Sequence, residues 1–145
     1  MTFRIDTPPR GTDELVPSER LRALKATIEA RKLPVRERFE ELVQHIVRQI
    51  ESGQEVVVFE GETGSGKSVY GPAAVREALR RTGCLEKIVV MEPRKDAAVG
   101  VATATAAIQD TYLGGEVGYV TSEGSQRTYE TLTHVVTSGI AVRYL

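Results

Sequence analysis

A single cysteine, Cys84, occurs in the 145 residues, so an internal disulfide is excluded and a reducing compartment is implied. Cys84 itself reads as a small apolar filler. Excess charge of one sign is also lacking, since 19 Lys and Arg stand against 20 Asp and Glu for a net charge of −1. That balance provides no bulk attraction to nucleic acid or to an acidic membrane, so any polyanion must be met locally. Long hydrophobic runs are missing too. The longest uncharged stretch, Ala97 to Gln109, is too short and too rich in small residues to span a bilayer. The N-terminus, Met1 to Pro9, has no apolar core resembling a signal peptide. His45 has no Cys or His neighbour spaced to share a metal, and no internal repeat or low-complexity tract occurs. What remains is the expectation of a soluble, cytoplasmic protein of ordinary composition, 41% apolar and 27% charged, with one real core.

Against these absences stands one dense stretch, Glu55-Val56-Val57-Val58-Phe59-Glu60-Gly61-Glu62-Thr63-Gly64-Ser65-Gly66-Lys67-Ser68. It predicts a short buried strand, a glycine-rich turn and the first turn of a helix. Gly61, Gly66, Lys67 and Ser68 satisfy G-x-x-x-x-G-K-[ST], the phosphate-binding loop of nucleoside-triphosphate proteins. Glycines there let the backbone curve so that successive N–H groups converge on an anion. The helix start adds unpaired N–H groups and a positive dipole end. In this reading residues 61–68 (Gly61, Glu62, Thr63, Gly64, Ser65, Gly66, Lys67, Ser68) bind the triphosphate. Lys67 reaches the outer phosphates, and the Ser68 hydroxyl ligates Mg²⁺.

Around this loop the chain alternates. Residues 1–17, with Pro8-Pro9, Gly11 and Pro17, read as an extended arm, and residues 18–32 as a helix capped by Ser18. Phe39, Leu42, Val43, Ile46, Val47 and Ile50 form the clearest helical stripe, ended by Gly53. A helix over 66–81 follows the loop, with Pro72 expected to kink it and Gly83 to close it. Lys87 to Met91 predicts a second buried strand, 96–110 a helix, Val117 to Val120 and Thr133 to Val136 two more strands, and Gly124-Ser125 a loop. Thr137-Ser138-Gly139 should cap a last helix. Strands alternating with helices predict an α/β fold with a parallel sheet and helices on both faces.

Four ordered motifs together resemble the first RecA-like domain of a DEAH-box helicase. They are the loop itself, Pro93-Arg94-Lys95 with Ala97-Ala98, Glu116-Val117-Gly118-Tyr119, and Thr137-Ser138-Gly139. Leu33-Pro34-Val35 resembles the entry to that domain, and Pro72 stands where the family also has a proline. The resemblance implies a partial RecA-like domain over 33–145 that binds ATP, or another nucleoside triphosphate, with Mg²⁺. It implies catalytic roles for Lys67 and Ser68, and contact of Arg94, Lys95, Thr137 and Gly139 with the backbone of a single strand, RNA before DNA. Taken alone, Arg94-Lys95 reads as a solvated turn and Thr137-Ser138 as a helix cap. It also implies an ATP-dependent helicase (a nucleoside-triphosphate hydrolase) acting with a second RecA-like domain, and no membrane partner.

The pattern departs from the family at several points. Val69-Tyr70 replaces Thr-Gln, Ala104 stands where an arginine would stack on the base, and Ser138 replaces the acidic residue of T-D-G. Poor discrimination between ATP and GTP follows from Ala104. No D-E-x-H occurs; Asp13-Glu14 and Glu40-Glu41 are the adjacent acidic pairs, and neither ends a predicted strand. The resemblance therefore implies a fragment or truncated member, inactive by itself. Two other readings stay open: a nucleotide-binding module without turnover, and a small P-loop phosphotransferase.

Overall fold

The computed structural model describes residues 19–54 and 56–144. The expected arm over 1–17, Ser18 and the Asp13-Glu14 pair lie outside them. Among the described residues no helix is long and apolar enough to cross a membrane.

Helix α1 (Glu19–Ala30) leads into a single turn, α2 (Pro34–Glu37), and then α3 (Phe39–Glu51). The stripe foreseen for α3 forms: Val43 and Ile46 are buried against Ala74 and Ala78 of α4 (Lys67–Arg81). Alanine on one side and β-branched residues on the other allow the two helices to approach closely. A charge network closes the far end of this contact. Arg81 binds Glu40 of α3 with both terminal nitrogens, at 2.6 and 2.9 Å, and Glu77 with its Nε at 2.8 Å. The Arg80 guanidinium, helped by Arg81, holds the Glu77 carboxyl down at about 2. Pro72 does not interrupt α4, which runs unbroken from Lys67 to Arg81. Its missing N–H leaves the Ser68 carbonyl without that helical donor.

The sheet has four strands in the order β1-β4-β2-β3: β1 (Ile88–Glu92), β2 (Val117–Thr121), β3 (Gly124–Gln126) and β4 (Thr133–Thr137). β4 is parallel to both β1 and β2, as the alternation predicts. β3 is an antiparallel hairpin partner of β2 that falls on the predicted loop at Gly124-Ser125. Gly118 explains the close approach there, because a Cβ on it would sit 2.4 Å from the Gln126 carbonyl oxygen. Helix α5 (Lys95–Ile108) covers one face. Its Ala98, Ala102, Ala106 and Ala107 are buried between Leu21 of α1 and the strand residues Val117 and Val135. The four-residue α6 (Ser138–Ala141) and Tyr144 pack on Val120 and Val136 at the opposite face.

The predicted buried strand at Val56 to Phe59 is not a strand. These residues carry no strand assignment, and Val56 and Val58 are 74% and 75% exposed. β-Propensity describes the surface a segment fits, and a strand also needs a neighbour for its N–H and C=O groups. None of the four strands pairs with this segment. β1 likewise pairs only with β4, which leaves Val89 and Met91 exposed on a strand expected to be buried.

His134 on β4 is 2% exposed. Its Nε2–H donates to the Thr131 carbonyl at 2.9 Å, and the Tyr144 hydroxyl lies 3.4 Å from Nδ1. Burial, with the charges of Arg127 and Lys87, pushes its pKa below the ordinary value. The folded state therefore binds this proton less well than the unfolded state, and the stability it contributes is lost as pH falls below 6.5. One proton limits the slope to ~1.4 kcal/mol per pH unit. Urea midpoints at pH 7.5 and 5.5 should separate more for the wild type than for His134→Gln; equal separations would remove His134 as the cause.

Candidate nucleotide and nucleic-acid site

Residues 61–66 curl at the start of α4. Ser65 donates its N–H to the Glu62 carbonyl at 3.1 Å, and Tyr70 donates to the Gly66 carbonyl at 2.9 Å. The N–H groups of Lys67 and Ser68 then have no acceptor within the helix, as at any helix start. Gly66 adopts φ +97°, and a Cβ there would meet Leu33 at 3.1 Å and Tyr70 at 3.3 Å. Only glycine serves both demands without strain. Val35 adds a 3.1 Å bond from its N–H to the Ser65 carbonyl. Leu33-Pro34-Val35, a mere likeness in the sequence, is thus the strap that braces the loop.

Lys67 folds its ammonium back over the loop. It donates to the Gly61 carbonyl, to the Glu62 carbonyl at 2.7 Å and to Ser65 Oγ at 3.4 Å. At Gly61 a Cβ would lie 3.0 Å from Ser65 Oγ and 3.5 Å from the Lys67 ammonium nitrogen. The loop is therefore a cradle that a side chain at 61 would fill, with a cation at its centre, which fits a triphosphate. Ser65 is buried, while Gly61, Glu62, Thr63, Gly64 and Ser68 are exposed. The Ser68 hydroxyl is the one oxygen donor the helix start presents to a divalent cation. No cluster of three His, Cys, Asp or Glu suited to a metal occurs among the described residues.

The departure at Val69-Tyr70 has a structural cause. Tyr70 is buried, edge-on to Phe39 with ring centroids 6.2 Å apart, and burial pushes its pKa up. Val69 and Tyr70 pack with Ile28 and Ala104. Positions expected to border the phosphates instead join α4 to α1 and α5, and Ala104 is buried beneath α1.

The second group assembles through the sheet. β1 and β4 run in parallel with Glu92 opposite Thr137. Their C-terminal ends therefore set Pro93-Arg94-Lys95 beside Thr137-Ser138-Gly139, although more than forty residues separate them in the chain. Open α/β sheets place ligands at this edge. Arg94 caps α5 with its side chain 75% exposed, 3.9 Å from Asp96. Lys95 is held by Glu123 at 2.7 Å. Thr137 stands at the N-cap of α6 with no side-chain cap bond, and Gly139 faces open space.

Sequence reasoning passed over Arg76. It is 5% exposed and donates to the carbonyls of Glu86 at 2.9 Å and Cys84 at 3.0 Å, tying α4 to the approach to β1. Its spacing from Ala73 and Ala74 signals nothing, because a buried arginine has no periodic signature. His45 is exposed, and Cys84 is free and half-buried.

A glycine loop opening a helix, beside a mixed sheet whose parallel strand ends carry basic and hydroxyl residues, is an architecture similar to a helicase RecA-like domain. The crystal structure of Escherichia coli DEAH/RHA helicase HrpB superposes with a TM-score of 0.61 at 30% identity, over 77% of this chain and 13% of that one. In sequence the chain is 35% identical over 113 residues to the probable ATP-dependent RNA helicase DHR2 of Saccharomyces cerevisiae, covering 78% of this chain. It is 32% identical over 137 residues to the DExH-box ATP-dependent RNA helicase DExH1 of Arabidopsis thaliana, covering 92% of this chain. Its homologues are thus DExH-box ATP-dependent RNA helicases, nucleoside-triphosphate-using enzymes. The chain spans 15% and 13% of the lengths of those two relatives. No protein-family profile matches it.

Proposed function

We propose that this chain is the ATP-binding portion of an ATP-dependent RNA helicase, holding Mg²⁺–nucleoside triphosphate at residues 61–68 and the backbone of single-stranded RNA at the sheet edge. The observation that carries this reading is the cradle at Gly61 closed by Lys67. Lys67 exchanges its loop carbonyls for the outer phosphates, and Ser68 holds the metal through its hydroxyl. Mg²⁺, when bound, neutralises charge on the β- and γ-phosphate oxygens. A second RecA-like domain completes the motor. The phosphotransferase reading is disfavoured because α5, the helix that follows Arg94-Lys95, is alanine-rich and carries no arginine to hold an acceptor.

On the nucleic-acid side Arg94 should contribute more than Lys95, which must first release Glu123. Arg94→Ala should weaken binding of oligo(U) and oligo(A) alike, since a phosphate contact carries no sequence information. The slope of log affinity against log salt should shrink by ~0.7, the value for one phosphate on a single strand. Anisotropy titrations between about 50 and 200 mM salt measure this. An unchanged slope would place the strand elsewhere.

A further inference from the structure

Three parallel strand ends meet at the sheet edge, and only those of β1 and β4 carry the residues assigned above. β2 and β4 are paired with Val120 opposite Val136, so Thr121 and Thr137, the next residues, end the two strands side by side. A two-residue turn, Ser122-Glu123, then leads from β2 into β3. Its geometry is fixed locally. Thr121 pairs with Gly124 across the hairpin, the Thr121 hydroxyl donates to the Gly124 carbonyl at 3.1 Å, and the Glu123 N–H donates to that hydroxyl at 3.2 Å. From this turn Glu123 reaches the first residue of α5, where its carboxylate accepts a 2.7 Å bond from the Lys95 ammonium.

Neither the hairpin nor the helix depends on this pair. The Glu123 and Lys95 side chains are 74% and 47% exposed, and exposed ion pairs contribute little to stability. What the pair alters is the charge offered to a polyanion. Lys95 opens α5, where the first N–H groups have no acceptor within the helix and the positive end of the dipole lies. A carboxylate oxygen on this ammonium uses the same charge-assisted bond that a phosphate oxygen would use. Arg94 differs, because its acidic neighbour Asp96 is 3.9 Å away, beyond hydrogen-bond reach.

We propose that Glu123 stands in for one phosphate of the strand, which makes the β2–β3 turn the third element of the nucleic-acid site and Glu123 the residue that sets its affinity. This rests on the strand reading above, and the test keeps the two apart. In place, Glu123 withholds Lys95 and adds a like charge beside the phosphates. Glu123→Gln should tighten oligo(U) by ~2- to 5-fold at about 50 mM salt, the worth of an exposed ion pair. It should also steepen the slope of log affinity against log salt by ~0.7, one further phosphate on a single strand. Both gains should disappear in the double variant Glu123→Gln/Lys95→Ala, because they act through Lys95. Anisotropy titrations of the full chain read both quantities, and the urea midpoint of Glu123→Gln should match wild type. A gain that persists in the double variant would reduce Glu123 to a general surface charge and overturn the assignment. Equal affinity and slope in Glu123→Gln and wild type would overturn it too, as would a lowered urea midpoint, which would make the pair structural. Failure of both proteins to bind oligo(U) at all would overturn the strand reading itself, and this assignment with it.

Discussion

Purified 145-residue protein should release phosphate from ATP at near-background rates, with or without single-stranded RNA. Phosphoryl transfer needs a metal anchored by the loop hydroxyl and a carboxylate, a positioned water, and cations on the developing charge. Ser68 and Lys67 supply the first part and some of the last. Glu40 and Glu41, the adjacent acidic pair among the described residues, sit on α3, where Arg81 holds one and Arg38 the other. Both carboxylates are therefore engaged in ion pairs. An arginine supplied by a partner domain is alone worth ~10³–10⁵ in rate. RNA should not rescue turnover, because a bound strand supplies neither the carboxylate nor the arginine. Phosphate release is measured with Lys67→Ala as the contamination control. Turnover near one per second in wild type, abolished in that control, would show that the chain recruits the missing groups, for example by self-association.

Lys67→Ala should weaken triphosphate binding by roughly 10- to 150-fold, the equivalent of losing one charge-assisted hydrogen bond of ~1.5–3 kcal/mol. The ammonium already sits inside the loop, held by the Glu62 carbonyl and Ser65 Oγ. Binding therefore trades neutral acceptors for charged phosphates and needs no long reach. These loop contacts are largely exposed, so the fold should survive their loss. Chelating Mg²⁺ should weaken the wild type as well, since the phosphate charge is then met by Lys67 alone. Fluorescent-triphosphate titration of both proteins decides the matter; equal affinities would sink the phosphate-loop assignment.

Local chemistry made much of this legible beforehand. The α3 stripe, the Gly-rich loop, the capping turn at Gly83 and strands β1, β2 and β4 all announce themselves by period or by residue type. The hairpin strand β3 did not, because Gly124-Ser125-Gln126 has turn composition and is held only by its pairing with β2. Val56 to Phe59 misled in the opposite direction: an ideal strand composition lacks the neighbour that would make it one. Val69-Tyr70, a departure in the sequence, packs against Ile28 and Ala104.

By itself the sequence determined the glycine-rich loop and the order of βα elements, since both rest on bonds between residues close along the chain. Tertiary structure alone decided three other matters. It set Arg94-Lys95 beside Thr137-Gly139 through the parallel register of β1 and β4. It buried Ala104 under α1. It turned Leu33 and Val35 into the brace of the loop. Each depends on contacts between segments far apart in the chain, which periodicity and spacing do not encode, because a side chain's neighbours across a helix or sheet interface are set by how the elements pack.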